Sequence, residues 1–247
     1  MDRLIYVGMT AAKHTMAQLA AISQNLANIN TTGYKADINV FSAVPVNGPG
    51  NPTREFVVNS VAGADTSFGT IQKTGNPLDL AVNGEGWFTV KLPDGSEAYT
   101  RNGNFKIDPS GVLQNYNGLN VVGDDGSTIT IPPNTQVTIG KDGTVSTLPS
   151  GDMPVSVTIL GRIKLVNPPE SQLVKGQDNL FRLRSGKPAP ADANVQVMSG
   201  SLEGSNVSAI ESMISMINLG RQFEMHMKLL QTADNNANKA GSLLNVA

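Results

Sequence analysis

Ser23-Gln24-Asn25-Leu26-Ala27-Asn28-Ile29-Asn30-Thr31-Thr32-Gly33-Tyr34-Lys35 reads as the place where a helix is brought to a halt. Leu26 continues an apolar series, whereas Asn25, Asn28, Asn30, Thr31 and Thr32 carry short polar side chains that compete for backbone partners and so favour a helix end. Gly33 can take the left-handed conformation that turns the chain away. Upstream, from Leu4 to Asn28, there is no proline and a single glycine, and Ile5, Ala12, Leu19 and Leu26 recur every seven residues. Gly8, Thr15, Ile22 and Ile29 follow three positions behind each, so the spacing predicts an amphipathic helix with a narrow apolar seam.

The other end of the chain repeats this pattern. After Gly204-Ser205-Asn206, where Ser205, Asn206 or Ser208 is a candidate N-cap, Met216, Phe223, Leu230, Ala237 and Leu244 recur every seven residues, joined by Met213, Gly220 and Met227. A second helix of about 35 residues, roughly 50 Å long, is expected. Gly220 inside it costs about 1 kcal/mol relative to alanine and is read as a point of close backbone approach.

Between the helices lie most of the glycines and prolines and short runs rich in β-branched residues. Trp87 to Leu92, Phe105 to Ile107, Thr128 to Ile131, Val137 to Ile139, Ser156 to Ile159 and Ile163 to Val166 read as strands. Pro93-Asp94-Gly95, Asp124-Asp125-Gly126 and Lys141-Asp142-Gly143 supply turns between them. The stretch 37–73 holds Pro45-Val46-Asn47-Gly48-Pro49-Gly50-Asn51-Pro52, which no helix or central strand accommodates, between short strands expected at Asn39 to Val44 and Glu55 to Val58. The expected fold class is therefore α+β. Terminal helices (1–36 with 205–247) pair as a discontinuous assembly domain, 37–73 is an extended connector with short hairpin elements, and 74–204 is a central all-β domain.

The 247 residues are 39% hydrophobic, enough for a real core, with a formal net charge of -2 and no cluster of lysine or arginine. Nothing here builds the positive surface that nucleic acid requires. The absence of cysteine excludes disulfides, thiolate nucleophiles and sulfur-ligated metals. Met1-Asp2-Arg3-Leu4-Ile5-Tyr6 lacks the basic and apolar regions of a cleaved secretory signal, and no run approaches the roughly 20 apolar residues of a membrane span. No membrane insertion is expected, and any export must use a signal-less route.

A two-helix hairpin buries only part of each seam, so neighbouring molecules are expected to cover the rest. Small residues (Gly8, Ala12, Gly220, Ala237, Gly241) allow close helix approach, and Met9, Met16, Met213, Met216, Met225 and Met227 give an adaptable surface. From pattern alone the helices are equally compatible with capping the β domain of a monomer, and at about 25 cal/mol per Å² burial against either neighbour is favourable. The residues assigned to an assembly interface are Ile5, Ala12, Leu19, Ile22, Leu26, Met213, Met216, Gly220, Phe223, Met227 and Leu230.

The stretch 23–35 resembles the amino-terminal signature of the flagellar rod and hook family, carried by Asn25, Leu26, Ala27, Asn28, Asn30, Thr31, Gly33 and Tyr34. Thr74-Gly75-Asn76-Pro77-Leu78-Asp79-Leu80-Ala81-Val82-Asn83-Gly84-Glu85-Gly86-Trp87-Phe88, with Tyr99-Thr100-Arg101-Asn102-Gly103, is similar to the start of that family's β domain. Gly200-Ser201-Leu202-Glu203-Gly204-Ser205-Asn206-Val207 resembles the lead into its carboxy-terminal helix, so the likeness brackets the chain. The opening six residues, Gly161-Arg162-Ile163-Lys164-Leu165-Val166 and Arg221-Gln222-Phe223-Glu224-Met225 are most like the proximal rod type. The distal type has Arg-Ala-Tyr-Glu near the last position, and the hook type is longer. The resemblance implies a subunit of the periplasmic rod of the bacterial flagellar basal body, exported through the flagellar type III apparatus. Its partners would be copies of itself, inner proximal rod subunits and the distal rod, and its work mechanical: torque through stacked terminal helices, with the β domain outside.

No catalytic, cofactor or metal site is assigned. His14 and His226 lie on separate expected helices without carboxylates at metal spacing, and Gly84-Glu85-Gly86 lacks the third glycine of a dinucleotide loop. Asp124 and Asp125 precede a glycine in a turn, and adjacent strand residues face opposite ways. Asn206-Val207-Ser208 and Asn30-Thr31-Thr32 match a glycosylation sequon, but helix capping accounts for both better. The alternatives are a distal rod protein of the same family and a periplasmic protein that binds or hydrolyses cell wall. The last would need a carboxylate pair, a metal triad or an exposed Trp87, and Trp87 sits in an apolar strand.

Overall fold

The computed structural model describes residues 2–45, 55–149 and 156–244. The chain is mixed α and β, with a long helix near each end and short strands between. It divides into two compact units: Met1–Asn28, Asp37–Gly63 and Val207–Ala247 form one, Ile29–Ala36 and Ala64–Asn206 the other.

In the helical unit, α1 (Asp2–Ala27) runs 26 residues and α2 (Ala209–Leu244) 36, matching the lengths that the seven-residue repeats predict. The two helices pack on each other. Ser208 caps α2, its Oγ accepting from the Glu211 N–H at 3.4 Å. Strands β1 (Asp37–Pro45) and β2 (Glu55–Ala64) pair as a two-stranded sheet, longer than the runs expected there. The proline and glycine run after Pro45, residues 46–52, lies outside the described residues. Asn25 ties α1 to β1: its Nδ2 donates to the Asp37 carbonyl at 3.0 Å, and the Asp37 N–H donates back to Oδ1 at 2.8 Å. An amide side chain thus takes the place of a strand neighbour, which satisfies the first donor and acceptor of β1.

The β unit contains β3 (Ile71–Lys73), β4 (Leu80–Asn83), β5 (Trp87–Lys91), β6 (Glu97–Thr100), β7 (Phe105–Ile107), β8 (Leu113–Asn115), β9 (Asn120–Val121), β10 (Thr135–Ile139), β11 (Thr144–Pro149), β12 (Thr158–Arg162), β13 (Leu165–Val166), β14 (Leu173–Lys175), β15 (Phe181–Leu183), β16 (Gln196–Ser199) and β17 (Ser201–Glu203). The largest sheet runs β14-β15-β6-β5-β9-β8-β7, with β13 paired to β5; β10-β11-β12, β16-β4 and β17-β3 are separate. The Asp-Gly turns sit where expected. Asp94-Gly95 joins β5 to β6 (Lys91 opposite Glu97) and Asp142-Gly143 joins β10 to β11 (Ile139 opposite Val145). In Asp124-Asp125-Gly126, Asp125 Oδ1 accepts from the Ser127 N–H at 3.0 Å, and the Ser127 hydroxyl holds the carboxyl below its usual range.

Leu80, Phe88, Phe105, Leu113, Val145 and Ile163 belong to the main core, and Trp87, Tyr99, Val166 and Phe181 to a second cluster. Trp87 is buried, its ring centroid 4.4 Å from that of Phe181. Thr128 to Ile131 departs from expectation: it makes only isolated bridges, Thr128 to Val122 and Thr130 to Val112, although Ile129 and Ile131 are buried. Pro132 and Pro133 follow and bring no N–H, so a ladder cannot continue there. The expected run Ser156 to Ile159 also shifts, since β12 begins at Thr158 and its pairing with β11 is bulged at Val145/Ser146.

The stretch after α1 is fastened inside the β unit. Gly33 has φ +66°, its N–H donates to the Glu203 carbonyl at 2.7 Å, and a Cβ there would lie 2.3 Å from the Asn102 nitrogen. Asn206 acts as a clamp rather than as the expected cap. Its Oδ1 accepts from the Ala36 N–H at 2.8 Å and its Nδ2 donates to the Asp65 carbonyl at 2.9 Å. Gly33→Ala is therefore expected to destabilise the β unit by about 2 to 4 kcal/mol through strain and clash together. Urea unfolding followed by Trp87 fluorescence measures this, and an unchanged midpoint contradicts it.

Candidate assembly surface

The seven-residue seams meet each other. Gly8, Ala12 and Thr15 on α1 are buried, and Ile5, Leu19, Ile22 and Leu26 are half-buried. Facing them on α2, Leu219 is buried and Met216, Gly220, Phe223 and Leu230 are half-buried. Gly8 permits the close approach expected of small seam residues: an added Cβ would lie 3.0 Å from Leu230 Cδ2 and 3.3 Å from Leu229 Cδ2. Among the described residues, Gly220 and Gly241 do not mark close packing, since an added Cβ meets nothing within 4 Å at either.

Met213 and Met227, placed on the same seam by spacing, are exposed instead. Met213 belongs to a second apolar series, Ile210, Met213, Ile214 and Ile217, at the 3, 4 and 7 spacing of one helix face. Ile210 is 73% exposed and Ile217 57%, and Met225 continues the line two turns on. At 100° per residue this face lies opposite Leu219, Phe223 and Leu230. α1 has a smaller counterpart in exposed Tyr6, Met9 and Met16. The line Met216, Phe223, Leu230 passes down the other side of the helix and so does not include Ile210, Ile214 and Ile217. A count of apolar residues on every face would have found them.

A groove of about 410 Å³ opens inside the helical unit, lined by Gln18, Ala21 and Ile22 of α1, Asp37, Ile38 and Asn39 of β1, and Ser215, Asn218 and Leu219 of α2. Ile38 is exposed at its edge. Of the motif residues, Asn25 and Tyr34 are buried, Leu26, Asn28 and Gly33 half-buried, and Ala27, Asn30 and Thr31 exposed. Asn28 Nδ2 donates to the Gln24 carbonyl at 2.9 Å, closing the last turn of α1. The Lys175 ammonium lies 4.0 Å from the Tyr34 ring centroid and donates to the Lys35 carbonyl at 2.7 Å. Among the described residues, no group of three or more His, Asp or Glu side chains gathers at metal-binding distance, and no helix is long and apolar enough to cross a membrane.

Three family models match the chain. Residues 5–35 match the flagella basal body rod protein model, 81–147 the flagellar hook protein FlgE/F/G D1 domain, and 198–243 the flagellar basal body rod FlgEFG protein C-terminal domain. Among individual proteins, the chain is 43% identical to the flagellar basal-body rod protein FlgF of Escherichia coli, over the whole of both chains. It is 42% identical to that of Salmonella typhimurium, again over both whole chains. The flagellar basal-body rod protein FlgG of Bacillus subtilis is 33% identical over 95% of this chain and 96% of its own.

The two helix glycines make a controlled pair. Gly220→Ala is expected to stabilise α2 by about 1 kcal/mol, because nothing opposes the added methyl. Gly8→Ala gains the same helix propensity but must displace Leu230, for a net loss of about 1 kcal/mol. Thermal melts followed by far-ultraviolet circular dichroism should move in opposite directions, and shifts of the same sign would remove Gly8 from the helix contact.

Proposed function

The chain belongs to the flagellar basal-body rod protein family, and from that premise we infer that it is a structural subunit of the proximal rod. Its location is the rod of the basal body, and its partners are other rod subunits and further copies of itself. Proximal placement is supported by identity, 33% to 43% to four proteins named FlgF against 30% to 33% to four named FlgG.

A subunit of an open axial structure needs surfaces that lead from one copy to the next without closing on themselves, and head-to-tail contacts do this. The observation that carries the assembly reading is that α2 bears apolar side chains on two opposite faces, one packed on α1 and one bare. On this reading the seam residues Ile5, Ala12, Leu19, Ile22, Leu26, Met216, Gly220, Phe223 and Leu230 build the helix pair. Ile210, Met213, Ile214, Ile217, Met225 and Met227 meet neighbouring subunits. A bare apolar stripe of this length is costly in water and is accounted for by a partner. Methionine in it adapts to neighbours of different shape, which suits a layer lying between two other kinds of subunit.

The finer architecture follows from the same premise. The terminal helices form the assembly domain that bears torque. The subunit leaves the cytoplasm through the flagellar type III apparatus and works in the periplasm without catalysing a reaction. The buried Trp87 leaves the carbohydrate-binding alternative without its aromatic platform.

Ile217→Asp separates assembly from folding. The side chain is already 57% exposed, so the isolated chain should keep its stability within about 0.5 kcal/mol. In cells lacking the native copy the variant should fail to enter the rod and fail to restore swimming. Leu26→Asp and Phe223→Asp should also fail, while weakening α1–α2 pairing by several kcal/mol and sparing the β unit. Normal swimming with Ile217→Asp would remove the outer face of α2 from the assembly surface.

A further inference from the structure

We propose that Glu203 is the positioning residue for segments 29–36 and 200–206, the stretches of chain after α1 and before α2, and that it does this as the one carboxylate shared by two buried cations. The link to assembly rests on the rod reading above; the cluster itself does not. Lys35, Arg101 and Glu203 are 1%, 3% and 2% exposed. Glu203 Oε1 lies 2.7 Å from Lys35 Nζ, and Oε2 lies 3.1 Å from Arg101 Nη1. Among the described residues, no other carboxylate is within ion-pair distance of either cation, so the cluster carries one positive charge in excess.

Each member holds a different piece of chain. Glu203 Oε1 also accepts from the Gly69 N–H at 3.0 Å, while Lys35 Nζ donates to the Ser67 carbonyl at 2.6 Å. Arg101 Nη2 donates to the Gly84 carbonyl at 2.8 Å. The guanidinium is flanked by the rings of Phe68 and Trp87, with centroids 5.2 and 5.3 Å from Cζ. Lys35 lies eight residues beyond the last residue of α1, and Glu203 six residues before the first of α2. The path of the chain out of α1 and into α2 is therefore fastened by one desolvated anion. Burial pulls both the Lys35 ammonium and the Arg101 guanidinium below their ordinary pKa values, against the attraction of Glu203.

Shared occupancy makes the three side chains unequal. Lys35→Met leaves a neutral Arg101–Glu203 pair, whereas Glu203→Gln leaves two buried cations without an ion-pair partner, with only the longer-range fields of Asp65 on Lys35 and Glu85 on Arg101. Adding Lys35→Met to Glu203→Gln takes away one of those cations, so the double variant should be less disturbed than Glu203→Gln alone. Loss of packing or of hydrogen bonds predicts the reverse order.

Amide exchange by mass spectrometry on the full-length protein tests this, reading peptides over 29–36, 64–70 and 200–206 against the core strands 113–121. Glu203→Gln should speed exchange in the three junction segments by about a hundredfold or more, a hundredfold being the lower end of the factor implied by breaking a buried ion pair. The core strands should stay protected, Lys35→Met should change little, and the double variant should recover part of the loss. Unchanged exchange in Glu203→Gln, equal loss throughout the β unit, or a double variant worse than the single would each overturn the proposal. If Glu203→Gln does not accumulate as folded protein, Lys35→Met decides alone: protection near wild type supports the shared-anion arrangement and a hundredfold loss refutes it. Normal swimming in cells whose subunit has an opened junction would overturn the positioning role but not the rod reading, which Ile217→Asp tests separately.

Discussion

The Glu203 carboxylate, 2.7 Å from Lys35 and 3.1 Å from Arg101, sits where water cannot compensate it, and the chain around it has little freedom as a result. A buried charge is tolerated only when paired and hydrogen-bonded, so every group that satisfies this one is held to a narrow geometry. Segments 29–36, 64–70 and 200–206 are far apart in sequence and have little regular structure of their own, yet they meet here. Asn206 adds an uncharged layer, bridging Ala36 and Asp65. Gly33 lets the backbone pass Asn102 at a distance no side chain allows. The segments after α1 and before α2 are thus held by polar groups, while the strands are held by the apolar core.

That division suits the two kinds of surface. The β core buries Leu80, Phe88, Leu113 and Ile163 completely and needs nothing from outside. The helical unit is less self-sufficient. Its seam is only half-buried in places, and α2 turns Ile210, Ile214 and Ile217 outward. For a monomer this is unfavourable, because an apolar face is left in water. On the proposed rod function it is the useful half of the molecule, since burying the same side chains against the next copy would be favourable.

Much of this could be read in advance, and the reasons differ by element. The helices announced themselves because a seven-residue repeat sustained over several turns matches the helical period and no strand alternation. The end of α1 and the start of α2 fall close to where Asn28 and Ser208 suggested. The hairpins around Asp94-Gly95 and Asp142-Gly143 were legible because positive φ at glycine is a local demand. The partner strands Glu97–Thr100 and Thr144–Pro149 were not, since runs of four to six residues with mixed polarity resemble loop. Thr128 to Ile131 misled because β-branched composition reports burial as readily as ladder pairing.

Residue identities alone determined the helices at both ends, the turn chemistry, the absence of thiol and disulfide chemistry and the likeness to rod proteins, because these depend on neighbours within a few positions or on the whole string at once. Only the tertiary structure decided that Lys35 answers Glu203 across 168 residues, that Asn206 clamps rather than caps, and that α2 has a bare second face. The physical reason is common to all three. Burial and ion pairing belong to the space between segments, and a side chain's charge or greasiness does not say which distant partner will exclude the water around it.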